Sequence, residues 1–199
     1  MKRQKNQTGI TLPELLTTVS VLALLLTLSA PSFSGFINKR EVAGAANLIS
    51  AFLDNIKMES IKRNRFVAIT YMESENGIDW CFGAKVRPDK DAEDNQHECD
   101  CLASAETTNC RLDAGGPPVV FSNSSYSKFE GLQITSALSD KYHVDIDPVR
   151  GVLKHAEKVD IQVKDSAQEY LVNISLGPTG RVSKCTPSEY HLVGYPACT

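Results

Sequence analysis

Six cysteines, Cys81, Cys99, Cys101, Cys110, Cys185 and Cys198, are the residues whose types and spacing most directly carry chemistry. Thiols in such numbers either close disulfides or, as thiolates, ligate zinc. His97 with Cys99, Cys101 and Cys110 would supply four zinc ligands, but their spacing matches no standard CxxC pair. An even count in an exported domain reads as disulfides, so all six are taken as bridged. Cys99 and Cys101 stand one residue apart, too close for an unstrained bridge with each other. Cys185 and Cys198 flank a step containing Pro187, Gly194 and Pro196, suited to a closed loop that ties down the C-terminus. With that pair set aside, two arrangements remain. One joins Cys81 to Cys99 and Cys101 to Cys110; the other joins Cys81 to Cys101 and Cys99 to Cys110.

The remaining reactive types form no recognisable constellation. The four histidines, His97, His143, His155 and His191, belong to no nucleophile motif, and neither G-x-S-x-G nor H-E-x-x-H occurs. No glycine loop that could cradle a phosphate is present, so the chain is read as a non-enzyme without cofactor or metal. Residues 89–98 hold five carboxylates, and hard oxygen ligands suit calcium. Their spacing is not that of an EF-hand loop, and a charge block is ordinarily a solvated loop. Asn123 and Asn173 head glycosylation-type triplets, and neither is read as modified. Trp80, the one tryptophan, is assigned to the core or a disulfide, with a subunit contact as the alternative.

Glu14 is the most informative single residue. It stands at the edge of residues 15–38, a stretch without one charged side chain and long enough as a helix to cross a hydrocarbon core of roughly 30 Å. A carboxylate there costs about 3 kcal/mol unless it is paired or lies outside the bilayer capping the first helical turn. Lys2, Arg3 and Lys5 precede Gly9, which places the start of the chain in the cytoplasm and the bulk beyond the membrane. Without those three, 18 basic residues face 24 acidic ones, a net charge of −6 that opposes general nucleic-acid binding. The order is not that of a secretory signal, because no convincing small-x-small exit site follows the apolar run. The apolar segment is retained.

The stretch from Lys5 to Leu16 resembles the class III signal of type IV prepilins and type II secretion pseudopilins. The resemblance implies cleavage after Gly9, methylation of a new N-terminus at Ile10, and pairing of Glu14, fifth in the mature chain, with the Ile10 amino group of a neighbouring subunit. Pro31 matches that family's helix-breaking proline. Ile10 departs from the usual phenylalanine and Pro13 from an aliphatic residue; a proline in the first turn sacrifices no hydrogen bond. Three further segments resemble the GspH/FimT/FimU branch of minor pilins and pseudopilins: Met58 to Asn64, Gly77 to Gly83, and Gly177 to Val182 followed by Cys185.

The elements that position these residues follow from periodicity. Val42, Ala45, Ala46, Ile49, Phe52, Leu53, Ile56 and Ile61 recur at three- and four-residue steps, extending one helix from about Leu12 to Arg63 with weak points at Pro31 and Gly35. From Phe66 the pattern turns to short strands over 66–72, 78–86, 119–122, 132–136, 142–146, 152–154, 159–163, 170–176 and 181–185. The expected class is α+β: a long N-terminal helix, its first half transmembrane, packed on an antiparallel sheet, a pilin-like roll by resemblance. Residues 1–9 are read as a leader, 10–38 as the transmembrane assembly helix, and 39–199 as a periplasmic domain, helical over 39–63 and β-rich over 65–199.

Function follows from the resemblance: a minor pilin that initiates or caps a type IV pilus, held in the bacterial inner membrane before assembly. Its partners would be other pilins, the prepilin peptidase and the inner-membrane assembly platform. A secretion pseudopilin is the near alternative. DNA capture through Arg181 and Lys184 is another, although these match a basic element known from the branch only in part.

Overall fold

The computed structural model of this chain describes residues 11–87, 99–125, 129, 131–136, 143–154, 158–190 and 192–198, the side chains of residues 28–34 and 143 excepted. The chain divides into two compact units, Met1–Asn38 and Lys39–Thr199. One helix, α1 (Leu12–Arg63), supplies the described part of the first and the opening element of the second.

In the first unit, α1 starts from Thr11, whose carbonyl accepts the N–H groups of Glu14 and Leu15, each at 3.1 Å. Val19, Leu22, Leu24, Leu25 and Leu26 are all exposed, so apolar surface runs around the helix and not along one stripe. The hydroxyls of Thr17, Thr18, Ser20 and Thr27 donate to carbonyls three or four residues earlier at 2.8–3.0 Å. The polar side chains of this run therefore satisfy themselves without water. The helix continues through Pro31 and Gly35. Among the described residues no helix is long and apolar enough to cross a membrane. Residues 15–27, the uncharged part with described side chains, rise only about 20 Å at the α-helical 1.5 Å per residue.

In the second unit, one face of α1 disappears from solvent: Val42, Ala45, Ala46, Ile49, Leu53 and Ile56 are each no more than 1% exposed. Ile61 departs from the expected stripe and is 42% exposed. Ser60 is buried at the end of this face, its hydroxyl donating to Arg65 O at 2.8 Å and Ile146 O at 3.2 Å. The helix closes on Asn64 in the left-handed region (φ 50°). Arg65 N–H returns to Ser60 O and Asn64 N–H to Ile61 O, a Schellman arrangement that satisfies the last carbonyls.

Eight strands follow: β1 (Val67–Glu73), β2 (Trp80–Val86), β3 (Val120–Ser122), β4 (Gln133–Ser136), β5 (His143–Ile146), β6 (Val159–Lys164), β7 (Leu171–Leu176) and β8 (Val182–Cys185). They divide into two antiparallel sheets, β3-β2-β1-β5 and β4-β6-β7-β8, a subdivision the strand pattern had left open. Expected strand 152–154 is instead a single bridge, Leu153 to Ile146. Leu153 N–H is drawn off to Pro178 O (3.0 Å), so the ladder stops there. In the second sheet apolar residues face each other across the strands, Val159 with Leu176, Ile161 with Ile174 and Val163 with Val172. These join the helix face and Val67, Ile69, Tyr71, Trp80 and Phe82 in one continuous cluster. Trp80, 1% exposed, lies in it with its ring 5.8 Å from Phe121.

Two polar contacts link strands through this core. Tyr71 on β1 donates its hydroxyl to Ile134 O on β4 (2.9 Å), joining the sheets. Burial, then the charge of Glu73, pushes this hydroxyl far above the usual tyrosine range. Arg87, just past β2, pairs with Asp145 on β5, and their side chains are 4% and 1% exposed. Removing one member of such a pair strands a buried charge. Asp145→Ala should therefore lower unfolding free energy by about 3–5 kcal/mol in denaturant titrations, while an Arg87→Met/Asp145→Leu double change should recover most of it.

Candidate functional site

Glu14 belongs to the first turn of α1, one residue after Pro13, which loses no helical hydrogen bond there. Its Oε2 lies 3.5 Å from Thr11 N and 3.4 Å from Thr11 Oγ1. This is a capping-box geometry stretched to its limit, so the exposed carboxylate is only loosely held within its own chain. Gly9 and Ile10 lie outside the described residues. Pro31 is within α1.

Arg181 lies just before β8 and Lys184 within it, and the structure treats them differently. Lys184 is turned onto α1, its Nζ 2.6 Å from Asn47 Oδ1 and 6.0 Å from the centre of the Tyr195 ring. The Tyr195 hydroxyl in turn donates to Ala43 O at 3.3 Å. Lys184 thus pins β8 and the C-terminal segment to the helix, while Arg181 is exposed. The glycine before Arg181 has a packing role. Gly180 adopts φ +69°, and a Cβ there would fall 1.9 Å from Gly151 O. Lys57 Nζ donates to Gly180 O at 2.9 Å, and a Cβ on Gly151 would meet Lys57 Cε at 2.9 Å. The motif Gly177 to Val182 therefore seals a junction of α1 with two turns. Lys57, Asn47 and Gly151 were not legible as its members, because each alone reads as an ordinary surface or turn residue.

The cysteines form three bridges: Cys81 to Cys101, Cys99 to Cys110, and Cys185 to Cys198. Of the two cluster arrangements left open by spacing, the structure holds the second. Cys81, Cys99, Cys101 and Cys110 make a separate buried layer with Met72 and Val120. That layer covers the face of β1 and β2 turned away from the helix, where Cys99 N–H donates to Thr70 Oγ1 at 3.3 Å. The strand glycine beneath it is required: a Cβ on Gly83 would lie 2.5 Å from Cys110 Sγ and 2.6 Å from Cys99 Sγ. An isolated glycine inside a strand signals such close approach. At the C-terminus, Cys198 N–H also donates to Thr186 O at 3.0 Å.

The zinc alternative loses its thiolates, since Cys99, Cys101 and Cys110 are all bridged. His97, His155, His191 and segment 89–98 lie outside the described residues. Among the described ones no cluster of His, Cys, Asp and Glu could hold a metal ion. The Asn123 amide is committed, donating to Ile78 O (2.8 Å) and accepting from Trp80 N–H (3.2 Å).

No family model matches this chain, and no curated protein matches it. Solved structures resemble it weakly. Type IV minor pilin FimU of Pseudomonas aeruginosa superposes with a TM-score of 0.45 at 14% identity, covering 75% of this chain and 99% of its own. A second crystal form gives 0.45 at 12% identity, over 80% and 98%. Minor pseudopilin EpsH from the type 2 secretion system of Vibrio cholerae gives 0.44 at 10% identity, over 74% and 98%. At these values the reading of the chain rests on its own residues.

Two outcomes follow from the packing. Gly180→Ala should destabilise the globular unit by roughly 2–4 kcal/mol in thermal or denaturant unfolding, and Arg181→Ala by less than about 0.5 kcal/mol. Opening the C-terminal loop with a Cys185→Ala/Cys198→Ala double change should remove about 3 kcal/mol, while non-reducing peptide mapping recovers the other two bridges unchanged.

Proposed function

We propose that the chain is a prepilin of minor-pilin type: an inner-membrane subunit that enters a type IV pilus or related filament and initiates or caps it. The observation that carries this reading is the spacing of Gly9, Ile10 and Glu14 ahead of the uncharged residues 15–38. The same helix then supplies the buried face of an α+β unit. Cleavage after Gly9 frees the Ile10 amino group. In a filament that cation pairs with Glu14 of a neighbouring subunit, setting axial register while the apolar half of α1 packs among other helices. The loose hold of Thr11 on Glu14 supports the exchange, because little is lost when the carboxylate changes partner. Before assembly, residues 15–38 anchor the chain in the membrane with residues 39–199 on the periplasmic side, where disulfides persist. The partners are the prepilin peptidase, other pilins and the assembly platform.

N-terminal sequencing of the processed chain should begin at a methylated Ile10, and replacing Gly9 with a bulky residue should block processing. Glu14→Ala should leave processing and the melting temperature of the globular unit intact, yet deplete the protein from sheared filaments at least about tenfold. A mature chain starting after Ala30, or normal incorporation of the Glu14 variant, would overturn the reading.

A further inference from the structure

Three contacts fix which end of the second sheet lies level with Lys39. Lys57 Nζ donates to Gly180 O at 2.9 Å just before β8, and Lys184 Nζ meets Asn47 Oδ1 at 2.6 Å within it. From Lys57 back to Asn47 the helix covers about 15 Å, and from Gly180 to Lys184 the strand covers about 13 Å. Strand β8 therefore runs back along α1 toward Lys39. Its antiparallel neighbour β7 pairs Asn173 with Cys185. Just before β7, the Tyr170 ring centre lies 5.1 Å from Lys39 Nζ. The turn from Asp165 to Tyr170 and the chain reversal after Thr186 thus share the Lys39 end of the sheet.

Thr186 pairs in parallel with Ala197, and Cys185 is bridged to Cys198, so the chain between them loops out past the strand end. The tip of that loop is apolar and open: Val193 is 93% exposed, and Gly194 beside it takes φ 99°. Tyr195 returns to the helix, its hydroxyl donating to Ala43 O at 3.3 Å, one helical turn past Lys39. Tyr170, Tyr190 and Tyr195, three of the chain's six tyrosines, are all half-buried at this end. In charge, Lys39, Arg40 and Lys184 are offset by Glu41, Glu169 and Glu189. The surface therefore offers tyrosines and an exposed valine with little net charge.

The length of the uncharged run sets the depth of this surface. As a helix, residues 15–38 rise about 36 Å, roughly 6 Å more than a hydrocarbon core. Shared between the two sides, the excess leaves Lys39 about 4 Å outside the core, within a headgroup layer about 5–8 Å deep. We infer that this end of the sheet is a membrane-docking surface. Before assembly, the Val193 turn with Tyr170 and Tyr195 rests in the phospholipid headgroups of the bilayer that holds residues 15–38. The inference rests on the anchor reading above and adds a second contact to it. Tyrosine suits that layer because its ring is apolar and its hydroxyl polar. Lys39 and Arg40 offer cations to lipid phosphates, but the charge balance means that the surface selects a bilayer and not anionic lipid in particular.

Two valines provide an internal comparison, since Val193 and Val149 are 93% and 80% exposed. Gly151, close after Val149, abuts Lys57 and Ile61, about 27–33 Å farther along α1 than Lys39. The full-length protein is placed in vesicles of phosphatidylethanolamine and phosphatidylglycerol and footprinted with hydroxyl radicals. Val193 should be oxidised at least about fivefold less than Val149. Val193→Trp changes only an exposed side chain. Above the Trp80 background, its emission should fall at least about twofold with lipids carrying a nitroxide on the headgroup, while that of Val149→Trp should not. Equal oxidation of the two valines, in a chain that resists alkaline extraction, would overturn the docking surface and leave the anchor reading standing. Protection of Val193 without nitroxide quenching would assign the turn to a protein contact and overturn it as well. Extraction of the wild-type chain by alkali would overturn both.

Discussion

The globular unit depends on one constraint: a single face of α1 must be dry along its length from Val42 to Ile56. Burying a large apolar side chain contributes about 1.5–3 kcal/mol, and Ile49, Leu53 and Ile56 are completely covered or nearly so. Ala45 and Ala46 contribute differently, since their small side chains let neighbouring elements approach the helix closely. Among the described residues neither sheet has another α-helix against which to lay its apolar face, so the strands are organised around this one stripe. Lys184 and Lys57 then fasten β8 and its preceding turn to the helix by hydrogen bonds to Asn47 and Gly180. The same helix is free of charge over residues 15–38.

The two faces of the first sheet are closed by different means. Toward the helix, Val67, Ile69, Trp80 and Phe82 meet apolar neighbours. On the other side, Thr70, Cys81 and Gly83 are buried in contact with a disulfide layer, and Ala68 is buried as well. That explains why β1 is buried at five consecutive positions when a one-sided sheet would show alternation. By contrast β6 alternates strictly between buried and half-buried positions.

Much of this was legible in the sequence because its signals are periodic. The stripe from Val42 marked the helix face, and alternation and turn residues located eight of the nine expected strands. The helix end at Arg63 was read correctly, but Ile61 was misjudged because periodicity cannot see which residue of the last turn meets the sheet; there Ser60 is buried and bonds to Ile146 O on β5. Strand 152–154 failed for a related reason, since Leu153 finds its acceptor at Pro178, distant in sequence. The Cys185 to Cys198 loop followed from spacing, but the pairing of the other four cysteines required the fold, which sets Cys81 on a strand and the rest above it. Arg181 and Lys184 looked alike in sequence, and only the position of Asn47 separates them.

The disulfide layer also imposes a chronology on the chain. Its apolar body is four cysteine side chains with the partly buried Met72 and Val120, and two bridges tie residues 99–110 covalently to β2 and to each other above Thr70 and Gly83. The helix-side core can condense from hydrophobic contacts alone, but the cross-links of this outer cover wait for an oxidant. A newly made chain in reducing surroundings therefore lacks the covalent ties over this face of β1 and β2, and gains them only where electrons can be taken from its thiols.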